Sequence, residues 1–193
     1  NSSADVNFDA VYIGDEAGGY LAATAGNKYN VAIGMMAMMN GEADDRGSNT
    51  AQKNVAIGYQ AMGATGANDS AHFTTENSVV IGYTAGKSMN SAHNTVLIGS
   101  ETGDQLTTGE SVIAVGTGAG RSSTTASGSV FLGRRAGKTI TTGNMNIAIG
   151  FDAINGATTT GDNNIAVGWK AGDALTTGYS NILMGQDAGG GIT

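Results

Sequence analysis

Along the whole chain, apolar and mostly β-branched residues recur in pairs spaced two apart, and each pair is followed at once by glycine. Anchored on Gly14, Gly34, Gly58, Gly82, Gly99, Gly116, Gly133, Gly150, Gly168 and Gly185, the pairs run from Val11/Ile13 and Val31/Ile33 to Ile165/Val167 and Ile182/Met184. The glycines are spaced 20, 24 and 24 residues apart, then 17, 17, 17, 17, 18 and 17. Residues two apart on a strand share a face, and β-branched side chains suit a pleated surface, so each pair predicts a short strand. Ten such units leave no room for a linker, and residues 1–193 read as a single repeat domain with repeats from about residue 10.

The rest of the unit is polar, with small residues at fixed places. Three residues after the glycine stands Ala in nine repeats of ten, Thr102 being the exception, and the next residue is Gly in seven. That predicts a tight corner. The second half, as in "DQLTTG", "KTITTG" and "DALTTG", carries one apolar residue (Leu106, Ile140 or Leu175) and predicts a second short strand. No window sustains a 3.6-residue period, which excludes a helical repeat. The fold class predicted is all-β: a parallel solenoid of ten turns of about 17 residues, stacked about 4.8 Å apart.

The column between the paired residues holds Tyr12, Ala32, Ala56, Val80, Leu97, Ala114, Phe131, Ala148, Ala166 and Leu183. A solvated face would carry Lys, Thr, Glu or Ser there, and none occurs. Both faces of the strand are therefore expected to be covered. The expectation is that the paired columns line the roll, while Tyr12, Val80, Leu97, Phe131 and Leu183 pack against other copies in a homotrimer.

Composition narrows the functional classes. The chain has 32 glycines, no proline, no cysteine, 13% charged residues and a net charge of −7. Glycine without a Gly-X-Y triplet excludes collagen, and the regular Ile and Val columns argue against disorder. The negative charge argues against nucleic acid, and no apolar run reaches the roughly 18 residues of a membrane span. Without cysteine there is neither a disulfide framework nor a thiolate zinc site.

The phrase Asn-x-(Ala/Val)-Ile-Gly-x-x-Ala-Gly followed by Thr-Thr-Gly, as in "NIAVGWKAGDALTTG" at 164–178, resembles repeats of bacteriophage tail fibres. Similar "SVAIG" phrases occur in head domains of trimeric autotransporter adhesins. The resemblance covers residues 10–193 and implies a left-handed parallel β-roll, three chains side by side, and attachment to a cell surface or matrix. Its 17-residue period with Thr-Thr-Gly looks more like the phage form. The implied function is a virion-surface fibre segment, a rigid spacer that contacts a host glycan or protein. The alternative is an adhesin head on a bacterial surface. The chain is expected to be a fragment or a processed product.

Candidate chemistry is sparse. The two longest repeats carry extra loops at 41–53 and 63–77, which predict one surface patch with Glu42, Asp44, Asp45, Arg46, Asp69, His72 and Phe73 as candidate receptor contacts. Tyr59 and Trp169, directly after their glycines, join them as aromatic faces able to stack on sugars or on another chain. "EADDRG" lacks the alternating ligands and closing Glu of a calcium loop, and no metal or cofactor is expected. The column Asn30, Asn54, Asn146, Asn164 and Asn181 predicts side chains that satisfy turn backbone and stack between turns.

No recurring acid pair suits a polysaccharide depolymerase, so the chain is expected not to be an enzyme. A file of Thr107, Thr124, Thr141, Thr158 and Thr176 offers one outward rank, short of the two an ice-binding face would show. A hexapeptide acyltransferase solenoid fails within one turn, because Asp104 and Arg121 stand where it needs apolar residues.

Overall fold

The computed structural model describes residues 9–19, 21, 27–39, 50–63 and 74–190. Ten strands of three residues form one parallel sheet in sequence order: β1 (Val11–Ile13), β2 (Val31–Ile33), β3 (Val55–Ile57), β4 (Val79–Ile81), β5 (Val96–Ile98), β6 (Ile113–Val115), β7 (Val130–Leu132), β8 (Ile147–Ile149), β9 (Ile165–Val167) and β10 (Ile182–Met184). Register is strict: Val11 pairs with Val31, Val96 with Ile113, and Ile165 with Ile182. The molecule is the expected all-β solenoid, one strand per rung, and no helix occurs among the described residues.

Besides the rung glycine, each rung turns through left-handed backbone at three fixed places. In every rung the residues five before, two after and four after the rung glycine have φ between +48° and +78°. Most of the first two sets are not glycine. Their strain persists because the stacked rungs over-determine it. The rung glycine itself lies at φ +112° to +141°. A Cβ on Gly116 would sit 2.6 Å from the carbonyl oxygen of Gly133, and one on Gly14 would lie equally close to the oxygen of Gly34. Only glycine lets successive rungs pass so closely, which is why the "IG" phrase recurs.

The ladder continues around the rung. Gly116 donates to Ile98, Gly118 to Ser100, Gly103 to Ala119, Gln105 to Arg121 and Thr107 to Thr124, at 2.8–3.0 Å. The second half contains no strand among the described residues, only isolated bridges such as Ile140 with Thr159. Its expected second strand is replaced by turn backbone held by single inter-rung bonds.

The core is thin. It consists of the middle strand column, the Ala column at the corner, and one apolar file from the second half, including Met89, Leu106, Ile140 and Leu175. This reverses the expected faces. Val80, Leu97 and Phe131 are fully buried within their own chain, Leu183 is 8% exposed, and Tyr12 packs against the core. The five residues assigned to chain–chain packing are thus interior, and Val55 and Ile57 face outward while Ala56 faces in. The corners bring the two walls so close that each level admits one inward strand residue, and the central position supplies it.

Volume compensates from rung to rung. Where the central residue is large, the fourth residue after the glycine is Gly: a Cβ on Gly120 or Gly137 would run into the Phe131 ring, and one on Gly103 into Leu97. Where the central residue is Ala32, Ala56 or Ala148, that corner carries Met38, Met62 or Ile154, all buried and all at positive φ. A β-branched residue in left-handed backbone is costly, and burial of Ile154 offsets that cost.

The Asn column forms the expected ladder, now seen to be interior. Asn164 Oδ1 accepts from Asn181 N at 3.1 Å, Asn146 Oδ1 accepts from Asn164 N at 2.9 Å, and Asn164 Nδ2 donates to Gly178 O at 2.9 Å. Ser78 and Ser129 take the same place with shorter reach. Asn30, Asn54, Asn146 and Asn164 are retained in the interior because each satisfies backbone groups that face no water.

Phe131→Ala should cost about 3–5 kcal/mol, and Gly137→Ala about 2–4 kcal/mol from overpacking plus left-handed strain. In the Phe131→Ala background the Gly137→Ala cost should fall to about 1 kcal/mol, because the ring it strikes is gone. Urea unfolding of the four proteins reads the coupling. Additivity would contradict the packing described.

Candidate interaction surface

The two outward strand columns make a continuous apolar strip with no charged residue in either column. Exposure is 57% at Ile13, 41% at Ile113 and 70% at Ile182. The intervening Val and Ile residues are mostly half-buried, because each is covered only by its neighbours above and below. A contiguous exposed patch of this kind marks an interaction surface.

Two flanks border the strip. On one side, immediately after the rung glycine, stand the exposed Met35, Tyr59, Tyr83, Phe151 and Trp169. Tyr59 and Tyr83 stack, with ring centroids 5.4 Å apart and planes 15° apart. The guanidinium groups of Arg134 and Arg135 lie 5.1 and 5.3 Å from the Phe151 ring centre, and Lys170 Nζ lies 5.4 Å from that of Trp169. On the other side, five before the glycine, the exposed apolar residues are Tyr29 and Met145.

Next to the aromatic flank, Asp152 is nearly buried and paired with Arg135, whose Nε donates to Oδ1 at 2.6 Å and whose Nη2 donates to Oδ2. That bidentate hydrogen bond raises the Arg135 pKa further. Asn155 Nδ2 also donates to Asp152 at 2.8 Å. A shallow pocket of about 190 Å³ lies here, lined by Asp152, Asn155, Gly156, Lys170 and Asp173. Asp152 already holds two partners, so it is a structural acceptor rather than a free base. On the same side Arg121 bridges Glu101 at 2.9 Å and approaches Asp104 at 3.8 Å. Burial pushes the Asp104 carboxyl up, and Arg121 partly restores it.

Of the nine expected receptor contacts, Glu42, Asp44, Asp45, Arg46, Asp69, His72 and Phe73 lie outside the described residues. Tyr59 and Trp169 are both exposed but belong to the rungs of β3 and β9, and the fold does not bring them together. The expected threonine file is broken at Thr158. Thr107, Thr124 and Thr141 do stack, but Thr141 N donates to Thr159 O, because the 18-residue repeat shifts the register by one. Thr159 turns inward instead, donating to Leu175 O at 2.8 Å. Among the described residues, no group of three or more His, Cys, Asp or Glu is placed to hold a metal ion. No helix there is long and apolar enough to cross a membrane.

The strand pattern alone places the residues of the strip in the interior, whereas the structure puts them outside. A usable signal existed: Ala fills half of the middle column and none of the outer two. Comparison of the chain with models of protein families, with curated proteins and with solved structures gave no match.

Arg135→Ala leaves the nearly buried Asp152 carboxylate without its cation and should lower the melting temperature clearly, whereas Arg134→Ala should change stability by at most about 0.5 kcal/mol. Adding Asp152→Ala to Arg135→Ala should recover part of the loss. Calorimetry of these variants checks the order, and equal effects of the two arginines would refute it.

Proposed function

We propose that this chain is a segment of a trimeric surface fibre, of the kind its repeats resemble in bacteriophage tail fibres, and that it acts as a rigid spacer. The observation that carries this is the uncharged strip of Val and Ile, with Leu132 and Met184, running along all ten strands. Left in water, it would be an aggregation hazard, and a repeating strip is complementary to copies of itself. Stacked in-register rungs supply stiffness, since every level is hydrogen-bonded to the next. Chemistry is not assigned to the chain. Recognition of a host surface, if the fibre carries it, is assigned to the loop regions 41–53 and 63–77. The same fibre role on a bacterial surface is the second form of this proposal.

Light scattering should give three times the mass of the 19.2 kDa chain. Ile147→Lys with Ile149→Lys, both on the strip, should yield a folded monomer with an unchanged β-type circular dichroism spectrum. Ala148→Lys, between them but inside, should unfold the protein. A wild-type protein that is monomeric and folded would overturn the proposal.

A further inference from the structure

From β4 to β10 every rung has 17 residues except that of β8, which runs over 18 from Gly150 to Gly168. The extra residue lies between Ile154 and Thr159, since Thr141 N donates to Thr159 O one position out of register. Its effect on the backbone is local. In the rungs of β4, β5 and β6 the sixth residue after the glycine donates its N–H to the next rung, Ser88 to Asp104, Gln105 to Arg121 and Ser122 to Lys138, all at 3.0 Å. In the β8 rung that residue is Gly156. The extra residue turns its Cα, rather than its N–H, toward the matching carbonyl, so that an added Cβ would all but coincide with Asp173 O. Gly156 is exposed, and its N–H has no acceptor among the described residues. The side chain before it, Asn155, donates from Nδ2 to Asp152 at 2.8 Å, while its Oδ1 has no partner.

We infer that Asn155 is a site of spontaneous modification, at which the rod loses an amide and gains a negative charge with time. The Gly156 nitrogen gives up its proton to solvent and bonds to Asn155 Cγ, the Cγ–Nδ2 bond breaks, and ammonia leaves. Water then opens the cyclic imide at either carbonyl, leaving aspartate or isoaspartate at position 155. Water is the one reactant required. Two conditions favour the step, a following nitrogen that no side chain shields and one that no hydrogen bond holds, and among the described residues Asn155 is the asparagine followed by glycine. The ladder asparagines meet neither condition. Asn30, Asn54, Asn146 and Asn164 precede β-branched residues, and the N–H groups of Val31, Val55, Ile147 and Ile165 are bonded to the next rung at 2.8–2.9 Å. Either product puts a carboxylate where an amide donated to Asp152, whose side chain is 7% exposed and is paired with Arg135. Like charges so close are unfavourable, so the conversion loosens the corner that Arg135, Asp152 and Asn155 hold together. Neither the site nor its effect depends on whether copies of the chain associate.

The test keeps the whole chain folded in mildly alkaline water enriched in heavy oxygen, then digests it under acid conditions and maps the peptides by mass spectrometry. Heavy oxygen should enter a carboxyl group at position 155, while Asn146, Asn163 and Asn164 keep their amides. An intact Asn155 in the folded chain would overturn the inference, as would conversion there no faster than at Asn163. Calorimetry reads the consequence. Asn155→Asp should melt below Asn155→Gln, which keeps an amide at that place, and equal melting of the two would overturn the claimed loosening of the corner.

Discussion

The stacked rung glycines are the constraint on which the rest of the structure depends. From Gly14 to Gly168, each runs so close to the carbonyl of the next rung glycine that an added Cβ would stand 2.2–2.8 Å from its oxygen, and that approach locks successive rungs in register at one point. Once the glycines are stacked, the three residues before each of them must pair in parallel with their counterparts, as the strict register of β1 to β10 shows. The three left-handed corners then repeat at identical places, and backbone donors in the turns find acceptors one rung away just as those in the strands do. The rung is less a strand with loops than a closed hydrogen-bonded ring with one straight side.

That ring is too narrow for a conventional core. On most levels one inward strand residue, one corner alanine and one apolar residue from the far wall fill the interior, with Thr102 and Ser123 as buried polar exceptions, and bulk at one place forces glycine at another, as Phe131 does to Gly120 and Gly137. Polar side chains that do enter, such as Asn30, Asn54, Asn146 and Asn164, complete the ladder, while the buried Thr95 hydroxyl has no partner. Much of the apolar content has nowhere to go but outside. The exposed strip is therefore a consequence of how tightly the rung closes.

Several features were legible in the sequence for identifiable reasons. The period, the strand positions and the parallel stacking follow from the spacing of ten Gly-anchored phrases, because a repeat of that length cannot bury an apolar face without stacking on its neighbour. The Asn ladder was legible because a short amide side chain at a fixed register has few other uses. The second strand was misread because a single apolar residue among polar ones looks the same whether it sits on a strand or at a turn. The break in the threonine file at Thr158 was invisible because one inserted residue can be absorbed on either side of the column.

What the sequence determined by itself was alternation: which residues of each strand share a face, and that neither face is polar. Which face is inward was decided by tertiary structure alone. Alternation has no sign when both faces are apolar, and only the distance between the two walls, set by the corners and by Ala and Gly packed between them, shows that the smaller, middle column fits inside. The physical reason is volume: the thin roll accepts Ala56 or Ala148 with a compensating Met or Ile at the corner, whereas two β-branched columns at every level would hold the walls apart and break the glycine stack.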